Sequence, residues 1–312
     1  MSRNVRVFLT GGLGNQLFQL AAGLSALDEI SGRVLLDTKL GKPRTTLGAA
    51  DVLHFRLPEN VIEYSRNSNI LSERTAGFLL RSGINPSVLE KRAIMQNFTR
   101  DLGRIVLSLR YKATVNIEIA KDVGFHPIHP HYNPLLIGYF QSYKYLQNPK
   151  VKENLFALSP KDGSRKLNAL VANALEQKPI FVHVRLSDYL NEKHFGTPGK
   201  EYYLNSLSRL NGISRNIWVF SDDLDLAKSR MPIEFNDRYF YVDDSELSPA
   251  QLLHLLRYGQ DYVVANSSFS WWGAALSFNR DSKIIAPDPW FAGMPEPREL
   301  IPPHWHREKA YS

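Results

Sequence analysis

Apolar positions fall into short runs separated by segments of helical spacing. The first run, VRVFLT (5–10), is β-branched and aromatic. It leads through GGLGNQ into LFQLAAGLSALDEI, which reads as a helix to about Ile30, and RVLLD (33–37) reads as the next strand. The second half repeats the pattern more clearly. IFVHVR (180–185), NIWVFSDD (216–223), RYFYVDD (238–244), DYVVAN (261–266) and KIIAP (283–287) read as buried strands. Between them lie helix-compatible segments: EYYLNSLSRL, DLAKSR, SPAQLLHLLRYG and the stretch from Ser270 to Phe278. In the third of these, Leu252, Leu253, Leu255 and Leu256 form an apolar face. Strand and helix in alternation predict a parallel, doubly wound sheet.

Residues 41–135 mix helical patterns with Pro and Gly and yield no strand order. HPIHPHYNP (126–134) reads as a proline-punctuated loop leading into a domain junction. No internal repeat is present.

Composition narrows the class. A chain of 312 residues has room for two domains, and 43% apolar with 22% charged residues is ordinary for a folded protein. With no cysteine, disulfides and thiolate metal sites are excluded, which suits a reducing compartment. Asn15, Gln16 and Gln19 interrupt the apolar N-terminal stretch, so it reads as strand, turn and helix rather than as a signal peptide. No run approaches the roughly twenty apolar residues of a membrane span. The formal net charge of +7 favours an anionic partner. The basic residues are scattered, however, without the aromatic-interleaved stripe of a single-strand nucleic-acid binder, and no nucleic-acid partner is expected.

An open parallel sheet binds ligands at its strand ends. Three polar clusters follow predicted strands: HVRLSDY with His183, Arg185 and Asp188, FSDD with Ser221, Asp222 and Asp223, and NSSFSWW with Asn266, Ser267, Ser268 and Ser270. Arginine can grip a diphosphate bidentately, and a Ser-rich turn opening a helix offers N–H groups and hydroxyls to the same anion. A carboxylate such as Asp222 can accept from the N1–H and exocyclic amine of guanine, and His183 can contact base or ribose. A nucleoside diphosphate fits the set. Each cluster alone also has a structural reading, as a surface ion pair, a helix cap, or a cap followed by core aromatics. The glycines of GGLGNQ suit close backbone approach to an anion, or a tight turn. Leu17 stands where a dinucleotide fingerprint needs glycine, and the Gly-Lys-Ser/Thr ending of a P-loop is absent. His126, His129 and His131 lie in a Pro-broken loop without adjacent carboxylates and are not expected to bind metal. At least one of Trp271 and Trp272 is expected in the core, and HWHRE (304–308) has no assignment.

Four segments carry a resemblance. GGLGNQLFQ (11–19), GYFQSYKYL (138–146), HVRLSDY (183–189) and NSSFSWWGAAL (266–276) resemble, in order, motifs of the alpha-1,2-fucosyltransferases, family 11 of the glycosyltransferases. That resemblance implies an α/β fold of the GT-B class, two Rossmann-like domains facing a cleft. Residues 1–150 would form the acceptor-side domain and 151–312 the GDP-fucose-binding domain. It implies inverting transfer of L-fucose from GDP-β-L-fucose to the 2-hydroxyl of a terminal galactose, without metal or other cofactor. The acceptor would be a galactose-terminated glycan, the location cytoplasmic, with peripheral contact to a membrane-borne lipid-linked glycan. Carried onto this chain, Arg185 would sit on the diphosphate and His183 and Asp222 near the guanosine. Ser267, Ser268 and Phe269 would meet the phosphates or fucose, together with Asn266, while Gly12 and Asn15 would reach the donor from the first domain. Asp188 stands as a base by type and position, or as a residue orienting Arg185. One departure is Leu186, in place of the motif's second arginine, so an arginine restored there is expected to tighten GDP binding. The same departure keeps a catalytically inactive sugar-nucleotide or glycan-binding module as the alternative.

Overall fold

Two parallel sheets organise the chain, one in each of two units. The computed structural model describes residues 3–27, 32–38, 50–64, 117–120, 123–128, 134–187, 189–192 and 194–311. The first unit comprises residues 1–159 and 297–300, and the second comprises 160–296 and 301–312.

In the first unit, β1 (Arg3–Phe8), β2 (Gly32–Asp37), β4 (Val61–Tyr64), β5 (Ile117–Ile119) and β6 (Leu135–Ile137) form a sheet of order β4-β2-β1-β6-β5, every pair parallel. Short strands β3 (Phe55–Arg56) and β7 (Ser159–Pro160) lie outside both main sheets. Helix α1 (Leu13–Ser25) is buried over Leu17, Phe18, Leu20, Ala21 and Leu24, so it is apolar nearly all round, as a core helix is. Helix α2 (Pro149–Phe156) starts at an Asn148 cap with Pro149 in its first turn and packs against α1. The expected boundary at 150 therefore moves to 159. Pro134 leads into β6 within the first sheet and not into a domain junction, since the Arg6 amide bonds its carbonyl at 2.9 Å, while residues 129–133 of the expected loop lie outside the described residues. Residues 297–300 are tied to this unit too. The Ser142 hydroxyl donates to the Glu299 carbonyl at 2.9 Å, and Lys144 pairs with the Glu299 carboxylate.

The second unit carries helices α3 (Arg165–Gln177), α4 (Lys200–Arg209), α5 (Leu224–Arg230), α6 (Pro249–Leu255) and α7 (Ser268–Ala275). Its strands are β8 (Ile180–Val184), β9 (Ile217–Ser221), β10 (Tyr239–Tyr241), β11 (Asp261–Val263), β12 (Ile284–Asp288) and β13 (His306–Lys309), ordered β10-β9-β8-β11-β12-β13 and all parallel. In chain order that is 3-2-1-4-5-6, the order of a dinucleotide-binding sheet, and it reverses direction between β8 and β11. The core gathers Ile180, Val182, Val184, Val219, Val263 and Ile285 with Tyr202 and Tyr203 of α4. Two α/β units with parallel sheets match the composition expected of the GT-B class. Strand β13 was not expected. Its sequence HREK is entirely polar, as suits an edge, and Arg307 on it bonds Glu296 at 2.8 and 2.6 Å and Asp288 at 3.0 Å. No described helix is long and apolar enough to cross a membrane.

Candidate functional site

The strands β9, β8 and β11 are neighbours, so the residues after them share one edge of the second sheet. At that edge the sequence-predicted clusters meet. The Arg185 Nη1 lies 3.3 Å from Asp222 Oδ2, and Asp222 Oδ1 accepts from the Leu186 amide at 2.9 Å. One carboxylate thus fixes both the backbone after β8 and the guanidinium beside it. Arg185 also lies over the Tyr189 ring, 5.7 Å from its centroid. Across the reversal point between β8 and β11, the rings of His183 and Phe269 are 6.1 Å apart. His183 is buried and its Nδ1 is unpartnered. Burial and then the Arg185 charge hold its pKa down at about 4, against an upward pull from Asp222. The ring is therefore neutral at pH 7.

Helix α7 begins at this edge. The Ser267 hydroxyl caps it by accepting from the Phe269 amide at 3.3 Å, and Ser268 and Phe269 are half-buried beside it. A capped helix start on the same sheet edge as an arginine forms a favourable anion environment. Both Trp271 and Trp272 are fully buried, Trp271 also packing on Trp305 with centroids 5.5 Å apart.

One expectation is corrected. Leu186 points into the core at 1% exposure, because backbone alternation after β8 sends Arg185 outward and Leu186 inward. An arginine there would enter the core and not the donor site. Asn266, expected to touch substrate, is buried, and its side-chain amide donates to the Phe195 and Gly196 carbonyls, both at 3.0 Å, and to the Tyr311 hydroxyl at 3.1 Å. These bonds fasten a loop through Nδ2, while its Oδ1 is buried without a partner. Asp188 lies outside the described residues, as do His129 and His131. His126 pairs with the buried Glu118 at 3.3 Å, and the described residues hold no cluster of three metal-binding side chains.

The first sheet reverses between β1 and β6, and two of the quoted segments meet there. Gly11 takes φ +73°, and a Cβ on it would fall 2.5 Å from the Asn15 amide nitrogen, so the turn requires glycine. Asn15 Oδ1 accepts from Gln141 Nε2 at 2.8 Å. Gln19 Nε2 donates to the Gly138 carbonyl at 2.9 Å while its Oε1 accepts from the Thr10 amide at 3.0 Å. Gln16 likewise bridges the Gly11 carbonyl and the Val52 amide. Sequence reasoning missed these three glutamines as builders of the site. For Gln16 and Gln19 the signal is a pair of amides set inside an otherwise apolar helix. Gly12 is half-buried with open space beside it.

The sequence model described as glycosyl transferase family 11 matches residues 88–301, more than half of the chain. The chain belongs to this family. Among characterised relatives, an alpha-1,2-colitosyltransferase of Escherichia coli is 28% identical over 304 residues, covering 91% of each chain. The O-antigen biosynthesis glycosyltransferase WbnK of Escherichia coli is 30% identical over 119 residues, covering 36% of this chain and 39% of WbnK. Among solved structures, the fucosyltransferase NodZ from Bradyrhizobium aligns over 89% of this chain and 94% of its own, at 16% identity and TM-score 0.47.

Proposed function

We propose that this family 11 glycosyltransferase moves L-fucose from GDP-β-L-fucose to the 2-hydroxyl of a terminal galactose, inverting the donor's anomeric configuration to give an α-1,2 linkage. The carrying observation is the Arg185–Asp222 pair after β8 and β9, on the sheet edge where the capped helix α7 starts. As the sugar–oxygen bond breaks, positive charge grows on the ring and negative charge on the departing diphosphate. Arg185 and the α7 amides oppose that negative charge where it develops, so no metal is required. Asp222 holds the guanidinium in place and remains the candidate acceptor for the guanine edge. Neutral His183 faces the base or ribose without adding a positive charge to it. Ser267, Ser268 and Phe269 contact the phosphates or fucose, and Asp188 is the candidate base. Gly12 and Asn15 form the ligand contact of the first unit. Peripheral work at the cytoplasmic face of a membrane, on a lipid-linked glycan, belongs to the same reading.

A second reading, with colitose as the transferred sugar, is favoured by the similarity to the alpha-1,2-colitosyltransferase. Purified protein is offered GDP-fucose or GDP-colitose with a panel of galactosides, EDTA present throughout, and the product linkage is assigned by NMR. An α-1,2-fucosyl product is expected. Preference for GDP-colitose would select the second reading, a dependence on added divalent metal would refute the metal-free step, and GDP-sugar binding without turnover would leave a binding module. Arg185→Ala is expected to lower kcat/KM by about a hundred-fold or more at unchanged circular dichroism. Near-wild-type kinetics would remove Arg185 from the donor site.

A further inference from the structure

We propose that Tyr311, together with Asn266, is a positioning residue that fastens the loop after β8 and thereby fixes the Arg185 guanidinium. The inference rests on the donor reading of Arg185. Tyr311 lies ten residues beyond the part of the chain matched by the family 11 model. It ends a segment that follows β13, and this segment grips the loop twice.

The first grip is backbone. The Ala310 amide bonds the Asp288 carbonyl and the Ala310 carbonyl accepts from the Gly199 amide, both at 2.9 Å, which ties the end of the loop to β12. The second is side chain. The Tyr311 hydroxyl accepts from Asn266 Nδ2 at 3.1 Å, and its single proton faces the carbonyls of Trp290 at 3.1 Å and Phe195 at 3.3 Å. Gly196 completes the fit. At φ +68° it presses against this ring, and a Cβ there would lie 2.9 Å from Tyr311 Cε1 and 2.5 Å from the Ala292 methyl.

A chain of ring contacts then runs from the latch to the arginine. Phe195, held by its carbonyl, packs on Tyr189 with centroids 4.9 Å apart, and Tyr189 supports the Arg185 guanidinium at 5.7 Å. Asp222 holds the same group from another side at 3.3 Å. A guanidinium kept in one orientation spends less conformational freedom when a diphosphate arrives. The latch therefore acts on donor affinity through Arg185 and touches no substrate itself.

Two measurements test it. In nucleotide-free protein, hydrogen exchange of residues 189–196 is expected to speed up about three- to ten-fold in Tyr311→Phe, while β8 keeps its protection. Unchanged exchange in the loop overturns the latch. By titration calorimetry, Tyr311→Phe is expected to weaken GDP binding by about three- to ten-fold in the wild-type background and to have no further effect when combined with Arg185→Ala. An equal loss in both backgrounds means that Tyr311 does not act through Arg185, and overturns the proposal. If the wild type binds no GDP, the donor reading fails, and the exchange result alone decides whether the latch exists.

Discussion

Arg185 and Leu186 are neighbours in sequence and opposites in environment. The first is half-buried beside Asp222 and the second is packed among Val184, Tyr203 and Ala310 in the core. Leu186→Arg would bury a cation with no partner prepared for it. A stability loss of about 3 kcal/mol or more is expected in urea unfolding. A stable variant with tighter GDP binding would overturn the inward assignment. His183 offers a second residue-scale test. Its folded-state pKa of about 4 lies below the ordinary value of 6.5. Between these values the unfolded chain takes up a proton that the native ring refuses, so stability is full above about pH 6.5 and falls as pH drops toward 4. His254, held at about 4 by burial and by Arg257, adds a slope of the same sign. In His183→Gln the decline of thermal midpoint between about pH 7 and 4.5 is expected to be shallower than in wild type. Equal slopes would show that His183 titrates normally.

At the scale of elements, the turn between β1 and α1 shows what its two glycines and the amides of the first turns of α1 do. Gly11 supplies a left-handed backbone, and Gln16 and Gln19 replace ladder bonds that the turn cannot make for itself. Gln19 is fully buried, so Gln19→Leu would leave the Thr10 amide and the Gly138 carbonyl without their partner. A loss of about 2 kcal/mol is expected from chemical denaturation, with circular dichroism in dilute buffer unchanged. A loss below about 0.5 kcal/mol would mean that water replaces the amide at both ends.

For the whole molecule, the donor reading confines GDP contacts of the second sheet to one edge, and binding to the native state alone must raise stability by mass action. At a hundred-fold excess over Kd, GDP is expected to stabilise the second unit by about 2.7 kcal/mol, ADP to leave it unmoved, and Arg185→Ala to abolish the shift. Differential scanning calorimetry reads this directly. An equal response to ADP would refute base selection at Asp222.

Strand identity in the second unit is legible in the sequence chiefly because β8, β9, β11 and β12 are buried on both faces and form continuous apolar runs. The ranges 180–185, 216–223, 238–244, 261–266 and 283–287 each contain or closely overlap an observed strand. The polar clusters after those runs are equally legible, since a parallel sheet collects its strand ends at one edge. Edge strand β13 is not legible, because an edge tolerates an all-polar sequence and removes the hydrophobic signal. Leu186 continues the inward parity of Val182 and Val184, but β8 is buried on both faces, so its apolar run does not mark which parity leads inward past the strand end. Long-range pairing decided the rest. Gln141 meets Asn15 across 126 residues and Asn266 meets Tyr311 across 45, contacts fixed by the order in which the strands lie and not by any spacing along the chain.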